Sequence, residues 1–219
     1  MIRATVLPAL LVFACATTAV AQSGSIAVKV TDPGSHAVAD AVVVAVPSDG
    51  VIPVTAHPRA ESLDQIDKEF VPRVKPIFVG STVSFPNKDN VRHHVYSFSP
   101  AKRFELPLYA GVPAQPVLFD KAGVVVLGCN IHDWMIGYIY VSESPFFAKT
   151  GADGTAVIAD VPLRGYSVRV WHPQLDGSEE QTRRTVEVNA RRVEVAFTVN
   201  LKPEVRVRRA PAMGHAGHY

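Results

Sequence analysis

Two apolar runs rich in β-branched residues, Val124-Val125-Val126-Leu127 and Ile136-Gly137-Tyr138-Ile139-Tyr140-Val141, are joined by Gly128-Cys129-Asn130-Ile131-His132-Asp133-Trp134-Met135. The runs read as strands and the segment between them as a short loop. That loop carries a thiol, an imidazole and a thioether in the spacing Cys-x-x-His-x-x-Met. So short a connection points all three side chains at one centre. Soft sulfur donors beside imidazole suit copper, and two imidazoles with a thiolate in a plane and a weak axial thioether make a blue-copper electron-transfer site. The loop lacks one imidazole, and His93-His94 supplies it from elsewhere in the chain. Taken singly, each residue reads more simply as a packed thiol, a core methionine or a surface histidine.

Compartment strengthens the combined reading. Residues 1–21 read as a secretory signal: Arg3 gives the positive start, Ala4 to Ala19 the apolar core, and Ala19-Val20-Ala21 the small-residue cleavage site. The apolar run is short for a membrane span, and nothing later approaches one, so no stable membrane insertion is expected. Cys15 raises a lipoprotein alternative, which ranks second because bulky Phe13 precedes it. The expected product is periplasmic, cleaved after Ala21. Of the two cysteines, cleavage leaves only Cys129, and of the three methionines only Met135 and Met213. A lone thiol in an oxidising compartment has no partner for a disulfide, and a bound metal would protect it.

Seventeen prolines and runs of period-two alternation favour an all-β chain. The one helix-like piece is Glu61 to Glu69, with Asp64, Asp67 and Glu69 as its solvated face. Ser25 to Val30 and Ala41 to Val46 read as strands separated by the Asp32-Pro33-Gly34 turn. Pro86-Asn87-Lys88-Asp89-Asn90 reads as a polar loop before a strand-like stretch, Val91 to Phe98, that carries the paired histidines. Thr185 to Val188 and Val193 to Leu201 alternate around Asn189-Ala190-Arg191-Arg192, which predicts a hairpin. From Lys202 a basic tail with Met213, His215 and His218 reads as mobile.

Residues 62–143 resemble cupredoxins, the blue-copper β-sandwiches. They are most similar to plastocyanin- and amicyanin-like proteins of the type labelled methylamine utilisation proteins. The matching pieces are NKDN, HHVYS, KAG and CNIHDWM. The resemblance implies a Greek-key sandwich with His93, Cys129, His132 and Met135 as ligands of one type 1 copper. His94 falls where an asparagine usually braces the cysteine loop, which makes it a second-shell group or an alternative ligand. Asp133 replaces a proline found there in amicyanin. Residues 24–47 and 144–201 resemble the two parts of a carboxypeptidase-regulatory-like sandwich of immunoglobulin/transthyretin type, through DGTAVIADVPLRGYSVRVWHP. The organisation implied is a signal at 1–21, first strands of the second sandwich at 22–58, a copper domain at 59–143, the remainder of that sandwich at 144–201 and a tail at 202–219.

The expected function is electron transfer to a redox partner protein. The alternative is a periplasmic copper-trafficking or interaction module whose metal does not cycle. A formal charge of +2 with mixed signs disfavours nucleic-acid binding. No serine–histidine–acid ordering or phosphate loop argues for an enzyme. A dinuclear Cu-A centre needs a second cysteine, and a catalytic zinc site would not need Met135. His132 is the expected electron edge, with Ile131 and Trp134 as an apolar contact patch. His172 reads as structural, and His36 and His57 as turn residues.

Overall fold

A computed structural model describes residues 23–53, 56–113, 115–189 and 191–204. The expected signal, and Met213, His215 and His218 of the tail, lie outside the described residues. Residues 202–204 are tied down, against expectation: the Lys202 N–H donates to the Gln174 carbonyl at 2.7 Å, and Glu204 pairs with Arg73 at 2.6 Å.

The chain is all-β. In order the strands are β1 (Ser23–Thr31), β2 (Val42–Pro47), β3 (Ala60–Ser62), β4 (Asp64–Ile66), β5 (Glu69–Val71) and β6 (Val74–Phe78). There follow β7 (Thr82–Ser84), β8 (His93–Ser99), β9 (Lys102–Tyr109), β10 (Val117–Leu118), β11 (Gly123–Gly128) and β12 (Ile136–Ser142). Last come β13 (Phe147–Lys149), β14 (Thr155–Pro162), β15 (Gly165–Trp171), β16 (Arg184–Glu187) and β17 (Arg192–Thr198). Among the described residues no helix is long and apolar enough to cross a membrane.

The expected helix at Glu61 to Glu69 is instead the β4–β5 hairpin. Its turn residues, Asp67 and Lys68, have φ of 54° and 59°, the left-handed pair that a two-residue type I′ turn requires. Leu63, Gln65 and Phe70 are buried while their neighbours are not. The governing period is therefore two, and the spaced acids that resembled a helical face are turn and edge residues.

A five-stranded sheet, β6-β12-β11-β8-β9, faces a small sheet, β10-β7-β3, in a β-sandwich. Leu63, Ile77, Phe85, Val95, Phe119 and Val125 fill the space between, and Cys129 and Met135 belong to the same core. A second sandwich joins β14-β1-β17 to β13-β2-β15-β16 around Ile26, Val28, Val43, Val168 and Phe197. Strands from before and after the segment 59–143 thus pair with each other. The run Val42-Val43-Val44-Ala45 has no polar alternation because both its faces are covered. Val43 and Ala45 enter the second core, while Val42 and Val44 meet Val74, Tyr140 and Trp171 between the sandwiches.

The hairpin expected around residues 189–192 does not form. β16 pairs with β15, whereas β17 runs parallel to β1 in the opposite sheet. The apolar faces of the two strands, Val186 on one and Phe197 on the other, meet across the core instead of side by side. Alternation alone is the same in both arrangements.

Candidate metal centre

The loop gets its geometry from the strands on either side. In β11 the side chains of Val125 and Leu127 point inward, and Cys129 continues that alternation just past the strand end. In β8 the inward series is His93, Val95 and Ser97. Gly128 lies opposite Tyr96 in the β8–β11 pairing, which brings the two inward series together at one end of the sheet. The loop then turns tightly. The Met135 N–H donates to the His132 carbonyl at 2.9 Å, and the Ile136 N–H to the Trp134 carbonyl at 3.1 Å.

This brings three donors together. Cys129 Sγ lies 3.8 Å from His93 Nδ1 and 3.8 Å from His132 Nδ1. The three donor atoms all lie within 4.8 Å of one another. The imidazole centroids are 5.0 Å apart with their planes tilted by 59°. Cys129 is buried and free of any disulfide, His93 is wholly buried, and His132 keeps partial exposure. Met135 is buried in the core that holds Cys129, and its backbone is pinned to that of His132 as described.

His94 does not join the cluster. Its Nε2 sits 2.9 Å from Glu105 Oε1, and its ring meets Tyr96 edge-on. The strand's alternation separates it from His93. His36 pairs with Asp32, His57 is exposed, and His172 accepts a hydrogen bond from the Gln174 N–H. Trp134 stands with its ring centroid 5.1 Å from that of His132, and Ile131 beside them is exposed.

The residue-by-residue reading missed Asp89. Its Oδ2 lies 2.7 Å from His93 Nε2, so the ring is held at the nitrogen opposite the one that faces Cys129. The same carboxylate accepts the N–H groups of Asp67 at 2.7 Å and Lys68 at 2.8 Å, the two turn residues of the β4–β5 hairpin. Burial works to raise the Asp89 carboxyl, but hydrogen bonds from His93, Lys68 and Asp67 outweigh it and hold the group below the ordinary aspartate range. Asn87 braces the loop from behind: its side chain donates to the carbonyls of Val91 at 2.8 Å and Tyr109 at 2.9 Å. Nearby, burial pushes the Tyr109 phenol up to about 12 against the opposing hydrogen bond from Gln65. In the sequence Asp89 stands within the NKDN piece, a carboxylate four residues before a histidine in a polar loop.

The donor set fits a soft first-row ion. A sulfur and a nitrogen bound to one ion at about 2.3 and about 2.0 Å, with an angle of about 120° between them, are separated by roughly 3.7 Å. That is close to both observed Sγ–Nδ1 separations. A thiolate and two imidazoles suit copper or zinc.

No family model matches the chain, and no curated protein does. Solved structures similar to part of it include the following three. A copper-containing nitrite reductase from Thermus scotoductus SA-01 is 28% identical with a TM-score of 0.37, over 42% of this chain and 25% of that one. A purple cupredoxin from Nitrosopumilus maritimus is 26% identical with a TM-score of 0.33, over 38% of this chain and 99% of that one. A reduced amicyanin variant is 20% identical with a TM-score of 0.34, over 47% of this chain and 99% of that one. The chain spans about a quarter of the nitrite reductase's length.

Proposed function

We propose that this is an exported protein in which His93, Cys129, His132 and Met135 hold one type 1 copper that carries electrons to and from a partner protein. The observation that carries this reading is the convergence of Cys129 Sγ with Nδ1 of both His93 and His132 at 3.8 Å. Copper bound there would supply one-electron chemistry, its potential set by the axial ligand and the surroundings of the sulfur.

The chain's own part is to keep the donors still. His93 is fixed in a central strand of the larger sheet, Cys129 at the end of its neighbour, and His132 and Met135 in the turns that follow. His93, Cys129 and Met135 are each no more than 3% exposed. Such shielding supports electron carriage over turnover of a bound substrate. His132 alone of the four is partly exposed, which makes it the edge through which electrons pass. Close by, a groove of about 430 Å³ lined by Tyr96, Phe98, Val126 and Ile136 reaches Cys129 and Met135. Its apolar rim, with Phe98 exposed, is a suitable contact for a redox partner. In this reading the leader ending at Ala21 sends the protein to the periplasm, and residues 59–143 form a copper domain set within the second sandwich.

The test is to add Cu(II) to the purified metal-free protein and record its visible and electron paramagnetic resonance spectra. An intense thiolate-to-copper band with narrow copper hyperfine splitting is expected. A colourless protein that holds Cu(I) or Zn(II) would replace electron transfer with metal trafficking. No bound metal would overturn the reading.

A further inference from the structure

The copper reading names the ligands and leaves unexplained why one of them, a wholly buried imidazole, is held by a carboxylate. We infer that Asp89 is a positioning residue that sets His93 in its metal-ready tautomer before any ion arrives, and that the β4–β5 hairpin is thereby part of the centre. This rests on the copper reading for its purpose, though not for its geometry.

His93 has two ring nitrogens and no solvent to satisfy either. At Nε2 the partner is Asp89 Oδ2, 2.7 Å away, and an ionised carboxylate can only accept. A ring proton therefore sits on Nε2, and in the neutral ring Nδ1 then turns its lone pair towards Cys129 Sγ. Without that acceptor the proton is better placed on Nδ1, where it would donate to the sulfur and close the site. An imidazole whose outer N–H is held by a carboxylate is also the stronger metal ligand.

Asp89 cannot easily rotate away. Its oxygens also take the N–H groups of Asp67 and Lys68, and its own N–H donates to Asn87 Oδ1 at 2.9 Å. Both hairpin donors point at one carboxylate because both residues lie in the left-handed region. A plain strand or a helix across 64–71 would not present them together.

The experiment compares the protein with Asp89→Asn, and with Asp64→Asn as a control. Asp64 is an aspartate of the same hairpin, paired with Lys88. Nitrogen-15 spectra of the metal-free proteins report the His93 tautomer, competition titrations the Cu(II) affinity, and spectroelectrochemistry the potential. Expected is an Nε2–H tautomer in the wild type and loss of it in Asp89→Asn. Cu(II) should bind the variant on the order of ten- to a hundred-fold more weakly. The potential should rise, because an anion that favours Cu(II) has gone, while Asp64→Asn matches the wild type in all three. An Nδ1–H tautomer in the wild type would overturn the inference even if Asp89→Asn failed to fold. So would a variant unchanged in tautomer, affinity and potential, or equal losses in both variants, which would reduce Asp89 to a turn cap. If the wild type bound no copper, the functional reading would fail while the tautomer comparison still decided the role of Asp89.

Discussion

Cys129 and His93 are 36 positions apart in the chain, yet Sγ and Nδ1 stand 3.8 Å apart at the end of two neighbouring strands. Both side chains are buried, His93 wholly and Cys129 to 3% exposure, so little solvent competes for the sulfur. Replacing it with the nearly isosteric serine removes the soft sulfur donor and little else. Cys129→Ser is expected to lose all thiolate-to-copper absorption while the metal-free protein stays folded, at a cost of about 1–2 kcal/mol for the altered polar group. Visible spectroscopy beside thermal unfolding checks both halves. A variant that kept the blue band would remove Cys129 from the ligand set.

The two imidazoles differ in access. His93 is sealed inside the sandwich, whereas His132 sits on the loop with part of its surface open. His132→Gly therefore leaves a hole that a small molecule can enter from solvent. Added imidazole should restore the absorption of copper-loaded His132→Gly and should fail with His93→Gly. Titrating imidazole into both variants is the measurement. Rescue of both, or of neither, would contradict the assigned difference in access.

How much of this is legible in the sequence depends on range. The loop from Cys129 to Met135 is local, and its spacing announces a cluster before any fold is known. Choosing between His93 and His94 is harder, because the outward set His94, Tyr96 and Phe98 is more aromatic than the inward set His93, Val95 and Ser97. The aromatic set lies outside: Tyr96 covers Gly128, where a Cβ would come within 2.7 Å of its ring, and Phe98 is exposed. The β4–β5 hairpin is hidden because Lys68 follows Asp67 where a two-residue turn of this kind usually carries glycine. Their left-handed backbone is held by Asp89, a residue more than twenty positions away. Partner choice for β16 and β17 is hidden for a different reason, since an alternating strand shows which face is apolar and not whether its neighbour lies beside it or across the core.

Gly154 offers a test of the second sandwich. It has φ of +73°, and a Cβ there would sit 2.5 Å from the Val30 carbonyl oxygen. Its carbonyl accepts the Val30 N–H at 2.8 Å, which fixes β1 against the turn that precedes β14. Alanine must strain the backbone or push β1 away, so Gly154→Ala is expected to destabilise by about 2 kcal/mol or more. For a chain of this size that corresponds to a fall in melting temperature of roughly 4–8 °C. The copper spectrum should not change, because no donor lies on β1 or β14. A calorimetric scan with no shift would show that β1 yields without cost.

His172 should make stability depend on pH well away from the metal. It follows β15 and is only 8% exposed, and its Nδ1 accepts the Gln174 N–H at 3.1 Å, so the folded ring is neutral with its proton on Nε2. Burial lowers its pKa below the ordinary histidine value, and Arg73 adds to this. Asp40, the Ala39 carbonyl and Glu204 oppose the shift without cancelling it. The unfolded chain then binds a proton that the folded chain refuses. The stability contributed is complete above the unfolded value of about 6.5 and is lost as pH falls below it, the loss levelling off beneath the folded value. His172→Gln can keep an acceptor and a donor but cannot titrate. Denaturant unfolding from pH 7.5 down to pH 4.5 should therefore show a shallower acid-side fall in the variant than in the wild type. Parallel curves would mean that the folded ring takes up its proton as readily as the unfolded one.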